Sequence, residues 1–153
     1  MASDDGVLSN FLKNEIIWAC VASWLVAQTL KVLLGIYREK RFNFRWFVGS
    51  GGMPSSHAAT VASLAAAVGL VYGFDSGFFA VAAVFAFIIM FDAQGVRRQS
   101  GKQAEALNHI LDDIHRQKGI RGERVKELFG HTPVEVLAGA FIGALMSFIV
   151  LSR

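Results

Sequence analysis

The chain has 153 residues, 54% of them hydrophobic and 18% charged, with a formal net charge of +3. Together with a mean hydropathy of +0.45, this excludes an ordinary soluble domain and suits an integral membrane protein of one domain. The small net charge says little about partners, and the single cysteine, Cys20, cannot form an intrachain disulfide and reads as a small hydrophobe.

In chain order, the N-terminus carries Asp4 and Asp5 and no basic stretch, so no removable signal peptide is expected. The first apolar segment covers 11–34, with Gln28 and Lys31 interrupting its second half. A basic connection follows, holding Arg38, Lys40, Arg41 and Arg45 against Glu39. The run Gly51-Gly52-Met53-Pro54-Ser55-Ser56-His57-Ala58-Ala59 is a small-residue turn carrying a histidine, and it opens the second apolar segment, 54–72. A tight turn at 73–77 leads into the third, 74–91. The next connection carries Arg97, Arg98, Lys102, Arg116, Lys118, Arg121, Arg124 and Lys126. Within it, 96–118 reads as an amphipathic helix ended by Gly119, because Leu107, Ile110, Leu111 and Ile114 recur at helical spacing. Its apolar stripe has three readings: on the membrane surface, against the bundle, or part of a solvated connector. The fourth apolar segment, 133–151, holds Gly139 and Gly143 in a small-xxx-small pattern.

Each apolar segment approaches the roughly 20 residues that a helix needs to cross a bilayer core of about 30 Å. None shows the period-two alternation of a strand. The fold expected is therefore all-α: a polytopic membrane helical bundle, 1–153 as a single domain, with about four transmembrane helices plus the amphipathic connector. Four spans put both basic connections on one side, and the positive-inside rule makes that side cytoplasmic.

This topology brings Lys31, His57, Asp92, Arg97, Arg98, His131 and Glu135 to one interfacial pocket. Charges near a membrane are costly unless paired or solvated, so such a gathering points to function. Basic residues also anchor helix ends to headgroups, and that reading stands beside the functional one for Arg38, Lys40, Arg41 and Arg45. Ser55 or Ser56 is placed to cap the helix that follows, and a helix N-terminus is an anion site. His131 and Glu135, four apart, share a helix face, where a carboxylate holds an imidazole in one tautomer. Asp92 is placed to pair with Arg97 or Arg98, or to meet a magnesium bound to a phosphate substrate. His109 and His115 are not expected to be catalytic. Asp112, Asp113 and His115 do not share one face, so no metal site is expected, and no nucleotide loop or nucleic-acid module is present.

Three stretches carry a family resemblance: Gly51-Gly-Met-Pro-Ser-Ser-His57-Ala, Met90-Phe-Asp-Ala-Gln-Gly-Val-Arg-Arg98 and Leu128-Phe-Gly-His-Thr-Pro-Val-Glu135. They resemble the divergent PAP2 family, related to acid phosphatases and vanadium-dependent haloperoxidases. In the wider superfamily the first motif is a lysine, six residues and an arginine before a proline; Lys31 and Arg38 match, with Glu39 in place of the proline. The second is Pro-Ser-Gly-His, matched by Pro54-Ser55-Ser56-His57 with serine for glycine. The third ends in a histidine with an aspartate four residues on and an arginine six before it; here these are His131, Glu135 and Val125.

The resemblance implies hydrolysis of a lipid phosphate or pyrophosphate. His131 would attack phosphorus and form a phosphohistidine, Glu135 would orient it, and His57 would protonate the leaving oxygen. Lys31, Arg38, Arg97, Arg98 and the N–H groups near Ser55 and Ser56 would hold the phosphate, with Asp92 in support and no metal or other cofactor. The expected partners are the bilayer and a phospholipid or polyprenyl phosphate, and no nucleic acid. The expected location is a bacterial inner (plasma) membrane, with the site near its cytoplasmic face. Four helices are fewer than the six usual in this superfamily, so a homodimer, also suggested by Gly139 and Gly143, is one way to complete the scaffold. The alternative is a noncatalytic lipid-phosphate binding or transport protein.

Overall fold

A computed structural model describes residues 4–40, 52–118 and 130–152. Among these residues the chain forms six helices and no strand. They are α1 (Asp4–Leu12), α2 (Glu15–Glu39), α3 (Ser56–Tyr72), α4 (Gly77–Gln94), α5 (Val96–Lys118) and α6 (Pro133–Leu151).

Local chemistry sets the helix ends. Asn14 caps α2, its side chain accepting from the N–H groups of Ile16 and Ile17 at 3.1 and 3.2 Å. Phe11 and Leu12 consequently sit on or just at the end of the short helix before it. Ser55 caps α3 and Ser76 caps α4 in the same way. Gly73, at φ +92°, takes the chain out of α3 through a conformation that side-chain-bearing residues rarely adopt. The start of α6 is a full capping box: Thr132 and Glu135 each accept from the other's backbone N–H, and Pro133 stands in the first turn.

The helices α2, α4 and α6 are each long and apolar enough to cross a membrane. α3 is also apolar but has 17 residues, about 25 Å of helix. It is the central element, packing against α2, α4 and α6. α2 also packs on α6, whereas α5 packs only on α4 among the described helices. Residues Gly52 and Met53, before α3, meet Lys31 and Arg38 near the end of α2. At the other end of the bundle, Glu15 of α2 shares a cavity with Leu70 and Val71 of α3, with Leu151 at the end of α6 and with Ser152 just beyond it. α3 therefore runs antiparallel to α2 and parallel to α6.

The distribution of side chains is inverted relative to a water-soluble protein. The largest fully buried side chains are His131, Ser23, Ser55, Ser63 and Ser147, and the apolar core consists of alanines and a few valines. Phe78, Val81, Phe85, Phe87, Phe141 and Phe148 face outward instead. Lipid tails solvate large apolar groups as well as a protein core does, so helices in a bilayer turn small and polar residues toward one another.

The contact between α3 and α6 shows this best. A Cβ on Gly139 would collide with the Ser55 carbonyl, and one on Gly143 with the Ala59 carbonyl. One turn further, the Ser63 and Ser147 hydroxyls lie 2.7 Å apart, and Ser147 donates to the Ser63 carbonyl at 2.8 Å. Gly139 and Gly143 are thus buried inside one chain, and the dimer loses them as an argument. Gly143→Ala is expected to push α3 and α6 apart and cost about 1–3 kcal/mol, the usual range for overpacking. Ser147→Ala is expected to cost less, about 0.6 kcal/mol, the average for a hydrogen bond between membrane helices. Thermal unfolding in detergent micelles checks the order; a Gly143→Ala protein as stable as wild type would refute the packing argument.

Candidate functional site

The end of the bundle where α2 and α4 finish and α3 and α6 begin gathers most of the polar residues singled out in the sequence. Two backbone bonds knit it together. The Ser55 N–H donates to the Glu135 carbonyl, and the His131 N–H donates to the Ala93 carbonyl, both at 3.0 Å. The first ties the turn before α3 to the first turn of α6. The second ties the segment before α6 to the last turn of α4.

His131 is 1% exposed, and its Nε2 is sealed from solvent. Its Nδ1 lies 3.3 Å from Oε2 of Glu135. That same oxygen accepts from the Thr132 N–H at 2.9 Å. One carboxylate therefore caps α6 and orients the imidazole, which directs Nε2 to any chemistry the ring performs. His57 is exposed, and its ring centroid is 6.2 Å from that of His131, at an interplanar angle of 57°. The two imidazoles are close enough to reach one phosphoryl group.

Lys31 is 6% exposed. It lies eight residues, about 12 Å, inside the end of α2. The Glu135 carboxylate is within Coulombic reach of its ammonium. A charge at that depth is tolerated when it has a countercharge in reach or opens toward a cavity, and Lys31 has the Glu135 carboxylate in Coulombic reach and a cavity beside it. It lines a cavity of about 160 Å³ with Leu34, Gly35, Arg38, Glu39, Gly52 and Met53. Lys31 and Arg38, seven apart, present both cations to this space. Gly52, at φ +87°, lets the turn pass against the Lys31 stem.

Between the two possible caps, the structure selects Ser55. Its hydroxyl, fully buried, accepts from the Ala58 N–H at 3.3 Å. Ser56 is the first helical residue, and its carbonyl accepts from the Thr60 hydroxyl at 2.8 Å. Because α3 and α6 are parallel, their positive dipole ends open side by side at this site.

Asp92 lies in the last turn of α4, adjacent to Ala93. Arg97 and Arg98 lie in the first turn of α5, one connecting residue beyond α4; their side chains fall outside the described parts of the structure. Gly51, Arg41, Arg45, Gly119, Arg121, Arg124, Val125 and Lys126 also lie outside the described residues. Among the described residues no group of three His, Cys, Asp or Glu side chains is arranged to hold a metal ion. Sequence reasoning missed the second role of Glu135, although Thr132-Pro133-Val134-Glu135 carries the capping-box signature. It also missed Ala93, whose role is a backbone carbonyl and leaves no mark on side-chain chemistry.

The Coulombic reach between Lys31 and Glu135 makes a testable demand. Gln at 135 keeps the capping hydrogen bonds but removes the charge, and Met at 31 removes the cation while filling its volume. A double-mutant cycle of Lys31→Met and Glu135→Gln is expected to give a coupling energy of about 1 kcal/mol or more in thermal unfolding. Strict additivity would show that the two charges do not interact.

The family model for the divergent PAP2 family matches residues 12–146. The uncharacterized membrane protein YuiD of Bacillus subtilis (strain 168) is 36% identical in an alignment covering 91% of this chain and 95% of that protein. No solved structure matches the chain.

Proposed function

The chain belongs to the divergent PAP2 family, and on that premise we propose that it is a membrane phosphatase acting on a lipid phosphate or pyrophosphate through a phosphohistidine. The observation that carries this reading is the constellation at the bundle end: His131 held through Nδ1 by Glu135, with the His57 ring 6.2 Å away.

In this reading Nε2 of His131 attacks phosphorus, and Glu135 supports the positive charge that develops on the ring. His57 gives its proton to the leaving oxygen. It then takes one from the water that hydrolyses the phosphohistidine, which restores both imidazoles. Lys31 and Arg38, joined by Arg97 and Arg98, neutralise the phosphoryl oxygens, and the paired N-termini of α3 and α6 add backbone donors near Ser55 and Ser56. Asp92 steadies the neighbouring arginines. A lipid is the substrate because the site opens at headgroup level. With α3 as a fourth crossing, the basic connections and the site face the cytoplasm of a bacterial plasma membrane. The chain does this as a monomer or within a homodimer.

One observation favours a second reading. The nitrogen that would attack is sealed from solvent, as suits a protein that binds or carries a lipid phosphate without cleaving it.

Purified protein in mixed micelles should release phosphate from phosphatidic acid, phosphatidylglycerol phosphate or a polyprenyl pyrophosphate. His131→Ala should abolish release. His57→Ala should lower it by roughly 10²–10⁴-fold, the usual worth of a general acid. The His57→Ala variant, at an exposed position, should keep the wild-type melting temperature within a few degrees, and the fold of the buried His131→Ala variant is checked by its circular dichroism spectrum. Saturable binding without release of phosphate from any of the three lipids would reject the enzyme and favour the binder. Reporter fusions at both termini test the orientation.

A further inference from the structure

The helix α5 presents three different faces. Ala104 and Asn108, one turn apart, are buried at 5% and 6% exposure. Lys102, Glu105 and His109 are exposed on a polar side. Leu107 and Ile110 are also exposed, at 48% and 56%. At 100° per residue, the Leu107–Ile110 direction lies roughly 110° from the Ala104–Asn108 direction. Leu111, between these two directions in the helical projection, is half-buried. The side carrying Leu107 and Ile110 is therefore not the face that the protein buries.

The chain itself indicates what covers it. Only Gly95 separates α5 from the end of α4, a helix long and apolar enough to cross the bilayer. The 23 residues of α5 extend about 34 Å, starting where α4 leaves the hydrocarbon. The segment 96–118 carries five Lys or Arg residues against three Asp or Glu. A helix with an apolar side, a charged side and a basic excess, tethered at the membrane surface, matches an interfacial helix on anionic lipid.

We infer that α5 lies in the headgroup layer on the same side as the His131 site, with Leu107 and Ile110 in the acyl-chain boundary and Lys102, Glu105 and His109 toward water. This rests on α4 crossing the bilayer and not on the hydrolytic reading. Its consequence is positional. α5 holds the end of α4 at a fixed depth, and Ala93 in that last turn receives the His131 N–H.

The test is site-directed spin labelling of the full chain in a Cys20→Ala background, with single cysteines at 105, 107, 109 and 110. Protein is reconstituted in phosphatidylcholine vesicles with and without phosphatidylglycerol. Labels at 107 and 110 should collide more with oxygen than with a water-soluble nickel chelate, and labels at 105 and 109 the reverse. The contrast should sharpen with phosphatidylglycerol. Higher chelate than oxygen accessibility at 107 and 110 would overturn the proposal in favour of a solvated connector. Shielding from both reagents, relieved by diluting the protein in lipid, would overturn it in favour of a second copy. Phosphate release by the same vesicles is read separately, so loss of the hydrolytic reading leaves this outcome intact.

Discussion

The close approach of α3 and α6 is the constraint on which the rest of the structure depends. Gly139 stands on the carbonyl of Ser55 and Gly143 on that of Ala59, and Ser147 bonds to Ser63. Each pair is offset by the same 84 positions, as parallel helices in register require. In a bilayer no hydrophobic force drives two helices together, so contact depends on packing and on internal hydrogen bonds. Removing two side chains lets the backbones meet, and the serine pair fixes the register. That register sets the Ser55 N–H against the Glu135 carbonyl, which brings the two helix N-termini to one depth. The site is thus a product of packing one to three turns below it.

Glu135 then connects the packing to the charges. Its backbone carbonyl accepts from the turn before α3, while its carboxylate caps α6, orients His131 and lies within Coulombic reach of Lys31. A buried cation and a buried imidazole would each be expensive at this depth alone. A single carboxylate serves both, and the capping hydrogen bond fixes its position before either partner is considered. Glutamate is long enough to curl back to the Thr132 N–H and still reach the ring one turn away.

The all-helical membrane fold was legible because hydropathy over some twenty residues is a local property. The i, i+4 spacing made the His131–Glu135 pairing legible, and the resemblance of three stretches made the family legible. Contacts between distant residues were not. A small-xxx-small pattern reports that Gly139 and Gly143 lie at a close helix contact, but it does not name the partner, so a second copy and α3 fit it equally well. Ser63 and Ser147 are unremarkable serines until the fold brings them to 2.7 Å. The direction of α5 was illegible for a related reason. Periodicity locates an apolar stripe, but it does not reveal that Ala104 and Asn108 are buried while Leu107 and Ile110 stay exposed.

Ser56 stands where the superfamily motif has glycine, and its geometry bears on what that departure costs. Ser56 is the first residue of α3, and Lys40 is the one described residue other than glycine with a positive φ. The backbone at 56 therefore makes no demand that glycine alone can meet. What serine takes is room, and its side chain sits in a position that is 6% exposed. His57 follows directly and remains exposed, with its ring centroid 6.2 Å from that of His131. The substitution leaves the helix start, the cap and the imidazole pair in place, so what it changes is the room beside the first turn of α3.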